Sequence, residues 1–268
     1  MAKIVVGCAG WDYADWAGMF YPRKLAKMDQ LAHYARFFDF VEVNSTFYNL
    51  PTQETLAKWG KVVPDQFRFA VKVWNRISHA KADVTLDARV SGFFTQLKVL
   101  EPKIALFLLQ FPPRFNYTPD NYARVQHLLE TIPSTRPIAV ELRDNSWFAP
   151  GILDNVLDGE HHILGTSYLP AYNPMYRSGQ SRYYIRLVGD RQLMVFNRVQ
   201  RQQEPIMKEV VGTVRELSMK EMVRDIFVIF NNHFSGFSPE TANEFKHRLG
   251  LPVRKFSSQK TLLDFYRK

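Results

Sequence analysis

Three short apolar stretches of this chain carry side chains able to move protons or hold anions. In Val41-Glu42-Val43-Asn44-Ser45-Thr46-Phe47-Tyr48 apolar and polar residues alternate, and a strand would set Glu42, Asn44 and Thr46 on one face, opposite Val41 and Val43. The pattern returns in Ile138-Ala139-Val140-Glu141-Leu142-Arg143, where Glu141 and Arg143 share a face, and in Tyr184-Ile185-Arg186-Leu187. Ionised groups are rarely buried without partners, so the economical arrangement is one pocket where these strand ends converge and the charges satisfy one another. A carboxylate beside a cation suits general acid–base work, which makes Glu42 and Glu141 the expected proton carriers. Lys72, Arg143 and Arg186 are the expected anion holders, and Asn44, Gln110, Asn231 and Asn232 add polar groups late in their strands. Loops just beyond contribute Trp11, Tyr48, His79 and Trp147 as ligand contacts, with Asp12, Asp144 and His233 nearby. Two inward acids face three inward bases, leaving one positive charge for a bound anion to neutralise. Glu141, whose arginine would be shared with that anion, is expected to be held at a cost to stability, and Glu42 to be the firmer counter-ion.

Such residues need a frame that gathers strand ends. Eight runs read as strands: Lys3–Cys8, Val41–Thr46, Phe69–Val73, Ile104–Gln110, Ile138–Arg143, Ile163–Tyr168, Tyr183–Val188 and Asp225–Asn232. Between them Leu25, Met28, Ala32, Ala35 and Phe38 recur at helical spacing, as do Tyr122, Val125, Leu129 and Ile132, and Ile206, Val210, Val214 and Leu217. Pro119 and Pro205 suit first helical turns, and Ser238-Pro239-Glu240 reads as a capped start. Strand and helix alternate about eight times, in the order and length of a (β/α)8 TIM-barrel-like α/β fold, a closed parallel barrel forming one domain over residues 1–268. Ligands in such barrels bind at the carboxyl ends of the strands, which is where the informative residues fall.

Composition narrows the function classes. With 46% hydrophobic residues the chain can bury a large core, yet no apolar run approaches the roughly 20 residues of a membrane-spanning helix. The chain enters a strand-like Lys3-Ile4-Val5-Val6 at once, so a cytoplasmic protein without membrane partners is expected. One cysteine, Cys8, excludes an internal disulfide and a thiolate cluster and reads as buried packing. A net charge of +9 makes anionic partners easier to approach. A Gly-rich phosphate loop, a dinucleotide fingerprint and a serine elbow are all missing, and no cofactor is expected. A metal is disfavoured as well: Glu42, Glu141, Asp144, His79 and His233 could donate, but Lys72, Arg143 and Arg186 stand among them.

The quoted motifs resemble, over nearly the whole chain, the family called domain of unknown function 72, or YecE-like. The likeness is carried by Gly7-Cys8-Ala9-Gly10-Trp11 with Phe20-Tyr21-Pro22, by Val41 to Tyr48, and by Phe69-Ala70-Val71-Lys72. It continues through Gln110-Phe111-Pro112-Pro113, Val140 to Arg143 with Ser146-Trp147, Arg186-Leu187-Val188-Gly189 and Phe230-Asn231-Asn232-His233. The resemblance implies a TIM-barrel-like fold, similar to that of metal-dependent sugar isomerases and an apurinic endonuclease group, and no firmly established reaction. Two positions depart from the family: it commonly has histidine where Val188 stands, and often aspartate near the end of strand six, where Ser167 stands.

The leading expectation is a metal-independent hydrolase, lyase or isomerase acting on a small anionic or polyhydroxylated ligand, such as a sugar phosphate. The competing reading is nucleic-acid binding or processing through the same mouth plus an Arg-rich segment. That segment holds Arg177, Arg182, Arg186, Arg191, Arg198 and Arg201, with Tyr183, Tyr184 and Phe196 interleaved. A solvated basic face is the favoured account of it. A silent ligand-binding protein is the third class.

Overall fold

Eight strands close into a parallel barrel in chain order: β1 (Lys3–Ala9), β2 (Phe40–Val43), β3 (Arg68–Lys72), β4 (Ile104–Gln110), β5 (Ile138–Glu141), β6 (His162–Tyr168), β7 (Arg182–Leu187) and β8 (Asp225–Phe230). The computed structural model describes residues 1–80, 83–170 and 172–256, and pairing of β1 with β8 completes the ring. This is the expected (β/α)8 architecture, with the strands near their expected places. The largest differences are at the carboxyl ends: β2 stops at Val43, β5 at Glu141 and β8 at Phe230. Asn44, Ser45 and Thr46 leave the strand because such residues favour helix starts, and Ser45–Tyr48 forms a single helical turn.

Alternation sorts the side chains. Val41, Val43, Val71, Phe107, Leu109, Val140, Ile185 and Val228 join the large core between strands and outer helices. The other face of the same strands fills the barrel with Ala9, Phe40, Ala70, Leu106, Leu108, Ala139, Ile163, Tyr184, Phe227 and Ile229. Small residues opposite large ones let this inner cluster pack without a pore.

The outer layer is α1 (Gln30–Tyr34), α2 (Ser45–Tyr48), α3 (Gln53–Val62), α4 (Asn75–Ser78), α5 (Leu86–Leu97), α6 (Pro119–Thr131), α7 (Glu204–Ser218), α8 (Asn232–Ser235) and α9 (Ser238–Arg248). Helix α6 follows the proline rule closely: Thr118 Oγ1 accepts the Asn121 amide and Pro119 opens the first turn. Ser238 does not cap α9 as expected, because its hydroxyl and amide both donate to Asn232 Oδ1. The β5–β6 and β6–β7 connections depart from strict strand–helix alternation, since their described residues contain only short 3-10 turns or irregular chain. Pro150-Gly151 in the first and Pro170, Pro174 and Gly179 in the second break helices, and both glycines take positive φ. No helix among the described residues is long and apolar enough to cross a membrane.

The β1–β2 seam is held by a side chain as well as by its ladder. Gly7 lies so close to β2 that a Cβ there would sit 2.1 Å from the Phe40 carbonyl oxygen. The buried Tyr34 hydroxyl fills the gap, accepting from the Cys8 amide at 2.8 Å and donating to the Phe40 carbonyl at 2.9 Å. Cys8 beside it is packing, its thiol pushed up to about 12 by burial. Tyr34→Phe strands a buried donor and a buried acceptor, so it is expected to cost roughly 1–3 kcal/mol, read as a lower urea midpoint at unchanged slope.

Candidate functional site at the barrel mouth

Above the apolar filling, the last inward positions of the strands are charged or polar: Glu42 on β2, Lys72 on β3, Gln110 on β4, Glu141 on β5 and Arg186 on β7. The sequence expectation that they converge is met. Arg186 lies at the centre. Its Nε and Nη2 donate to Glu42 Oε2 and Oε1 at 2.6 and 2.9 Å, and its Nη1 donates to Glu141 Oε2 at 2.5 Å. Arg143, just past the end of β5, closes on Glu141 Oε1 through Nε and Nη2, each at 2.6 Å. One layer down, the Tyr184 hydroxyl donates to Glu42 Oε2 at 2.5 Å, and from above Asn44 Nδ2 donates to Glu42 Oε1 at 2.8 Å. Ser167 sets its hydroxyl beside the Glu141 carboxyl.

Both carboxylates are buried, which alone would raise their pKa values, but the guanidinium groups outweigh burial. Arg186 holds Glu42 below its ordinary value, and Arg186 with Arg143 holds Glu141 at about 2. Lys72 is the counterpart. Its ammonium is desolvated and repelled by Arg186, with a smaller push from Arg143, and together these bring it down to about 7 against the attraction of Glu141 and Glu42. Its Nζ donates to Gln110 Oε1 at 2.6 Å and rests 4.1 Å from the centre of the Phe47 ring. Gln110 Nε2 donates to the Phe111 carbonyl, so the amide orientation offering Lys72 an acceptor is fixed.

The remaining candidates divide. His79 is half-buried against Phe47 with Nδ1 2.9 Å from Ser78 Oγ, and burial followed by the charges of Lys72 and Arg143 lowers it to about 4. Trp11 and Tyr48 line a cavity of about 770 Å³ together with Tyr13 and Trp59. This cavity lies to one side of the charge network, over the β1 and β2 loops, and meets it at Ala9 and Asn44. Trp147 is instead fully buried, stacked on Phe115 and donating Nε1 to the Phe115 carbonyl, so it packs the core and offers no face to a ligand. Asn231 Oδ1 accepts the His233 amide and Asn232 Oδ1 ties down Ser238, which makes both connectors of the β8–α9 turn. Tyr184, which the sequence offers only as an aromatic of the Arg-rich segment, lies two residues before Arg186 on the same face, and that spacing is the signal that could have found it at the mouth. Trp59, on α3, has no comparable signal.

A metal does not suit this donor set. Glu42 and Glu141 already receive guanidinium hydrogen bonds, and no three His, Cys, Asp or Glu side chains among the described residues are grouped to hold an ion.

A closed (β/α)8 barrel with a buried carboxylate–guanidinium network at its carboxyl mouth is the class of protein defined so far. The sequence model of the family described as "Protein of unknown function DUF72" matches residues 5–263, and the chain belongs to that family. It is 31% identical to the UPF0759 protein YecE of Escherichia coli K12 over 164 residues, a match covering 61% of this chain and 57% of that protein. It is 24% identical to the UPF0759 protein YunF of Bacillus subtilis over 92% of this chain and 95% of the relative. Crystal structures of DUF72 family proteins from Thermotoga maritima and Enterococcus faecalis share the fold. The first has TM-score 0.77 at 24% identity, covering 92% of this chain and 99% of that one; the second has 0.74 at 25%, covering 94% and 99%.

The network corrects the expected difference between the two acids: Glu141 is as deeply buried as Glu42 and is held by two arginines rather than loosely by one. Glu42→Gln and Glu141→Gln should each destabilise by about 3–5 kcal/mol, because each leaves guanidinium charge uncompensated. Since Glu141 is lowered from 4.5 to about 2, its contribution is fully present above pH 4.5 and lost as pH falls towards 2. Thermal melts against pH should therefore show a flatter acid limb for Glu141→Gln than for wild type.

Proposed function

We propose that this chain is an acid–base enzyme acting on a small anionic or polyhydroxylated ligand at the barrel mouth, with Lys72 as the proton-transferring group. The observation carrying this reading is the setting of Lys72. It is brought to about 7, near the ambient pH where a proton can be both taken and returned, and it hydrogen-bonds a neutral amide rather than a carboxylate. Glu42 and Glu141, the sequence candidates for that role, are assigned to the scaffold because their arginines keep them ionised. Arg186 joins them there, since all three of its nitrogens donate to those carboxylates. Arg143 is the anion holder: its Nε and Nη2 face Glu141, and its side chain is 13% exposed where those of Glu42, Glu141 and Arg186 are all but closed. Hydrolytic, lytic and isomerising steps all fit a neutral amine beside a guanidinium.

The Arg-rich segment gives little support to the nucleic-acid reading. Arg177 pairs with Asp154, Arg182 with Asp225 and Glu160, and Arg201 with Asp190, while Arg186 points inward. Arg191 and Arg198 remain as exposed positions.

Two measurements test the reading. In calorimetric titrations with glucose 6-phosphate as probe, wild type should bind and Arg143→Gln should bind about tenfold more weakly, the loss of one charge-assisted hydrogen bond. Equal affinity in the variant would remove Arg143 from the site. Lys72 supplies the second. Its folded value of about 7 lies below its unfolded 10.5, so its desolvation weakens the fold fully below pH 7, and the penalty fades as pH rises towards 10.5. Lys72→Met should therefore raise the melting temperature at pH 6 and give no such gain at alkaline pH. A drop at pH 6 would make Lys72 scaffold.

A further inference from the structure

The aromatic cleft beside the mouth is not needed for proton transfer alone, and the neutral acceptor locked beneath Lys72 allows more than proton transfer. Gln110 occupies a position where a glutamate of nearly the same shape would pair with the lysine and keep it charged; its amide, anchored by Phe111, instead accepts one N–H and leaves the amine lone pair for a bond. Glu42 and Glu141, the carboxylates facing Lys72, are taken by Arg186 and Arg143, and His79 on the remaining side is neutral. A desolvated lysine amine beside fixed cations is the arrangement that makes lysine a nucleophile towards carbonyl carbon. The turn of α2 joins this amine to the cleft: Phe47 lies under Nζ, Tyr48 packs edge-on against Phe47 at 5.0 Å and stands 63% exposed, and Trp11 packs edge-on against Trp59 at 5.0 Å in the cavity lining.

We propose that Lys72 forms a covalent imine with an aldehyde or ketone ligand that carries an anionic group, its carbon skeleton or ring lying along the aromatic cleft. The proposal rests on the reading of the mouth as an acid–base site for anionic ligands and names its substrate class. The Lys72 lone pair attacks the carbonyl carbon, and the carbonyl π pair moves to oxygen. The nitrogen loses its two protons to that oxygen by way of solvent, the C–O bond breaks, and one water leaves with C=N formed. No oxidant or reductant is required. Protonation of the imine then places a positive charge that the ligand's anion, held by Arg143, can balance.

Pyridoxal 5′-phosphate serves as probe because it combines an aldehyde, an aromatic ring and a phosphate. The full chain is mixed with a substoichiometric amount across a pH series, reduced with borohydride, digested and mapped by mass spectrometry. Label is expected mainly on Lys72, ahead of the exposed cleft lysines Lys27 and Lys58, with yield rising around a midpoint near pH 7. Gln110→Glu should move that midpoint upward by about one unit or more even where the lost amide bond to the Phe111 carbonyl lowers the melting temperature, because lost stability alone would not raise the midpoint. Label spread over exposed lysines with Lys72 unmodified overturns the proposal, as does a Gln110→Glu midpoint equal to wild type. If glucose 6-phosphate binds and depends on Arg143 while Lys72 stays unlabelled, the imine falls and the acid–base reading stands. If the sugar phosphate does not bind and Lys72 is unlabelled, both fall.

Discussion

One buried guanidinium ties the carboxyl end of this barrel together. Arg186, on β7, reaches across the interior to Glu42 on β2 and Glu141 on β5, joining three strands that are not neighbours in the ring. A planar fork with fixed donor directions can do this where a lysine could not, because Glu42 is met bidentately and Glu141 is met by the remaining edge. Water is excluded from this layer by the apolar cluster beneath, so each charge depends on the others for solvation. The network therefore sets the geometry of the mouth as firmly as the ladder sets the strands, and the side chains free to meet a ligand are those at its margin.

Charge balance then decides what those marginal groups can do. Glu42 and Glu141 are offset by Arg186 and Arg143, so the core of the network is neutral without Lys72. A proton on Lys72 adds an uncompensated charge to a site already shielded from water, which is why its amine titrates near 7 and not near 10.5. The spare positive charge counted from sequence is thus a conditional one. On the proposed reading a bound anion would favour the protonated form, a coupling by which ligand binding itself would raise the basicity of the group beside it.

Much of this was legible in the sequence, and the limits were physical. Period-two alternation told which residues face inward, and it placed Glu42, Lys72, Gln110, Glu141 and Arg186 in one end of one barrel. Alternation does not give depth or pairing. Whether Arg186 serves Glu42, Glu141 or a ligand depends on strand stagger, which appears in no local pattern. The end of β2 was misplaced because Thr46 and Phe47 have strand propensity, while Asn44 and Ser45 begin a turn whose Thr46 hydroxyl donates to the Lys72 carbonyl. Closeness to Arg143 in sequence suggests the mouth for Trp147; its indole instead donates to the carbonyl of Phe115, which lies 32 residues earlier. The β5–β6 and β6–β7 connections were read as part of a regular alternation although their prolines and glycines argued otherwise.

Ser167 shows how one position can set the behaviour of the whole layer. It stands beside Glu141, on the strand next to Arg186, where the family resemblance often places an aspartate. An aspartate there would bring a third carboxylate to a site with two guanidinium groups, and the balance would shift from neutral to one negative charge. Lys72 is the remaining cation in that layer, so it would be drawn to stay protonated as the third counter-ion and its titration would move up. Serine stands beside Glu141 and adds no charge. Of the two positions that depart from the family pattern, Ser167 is therefore the one that leaves Lys72 without a carboxylate of its own, and the lowered basicity of the amine follows from Ser167 as directly as from Gln110.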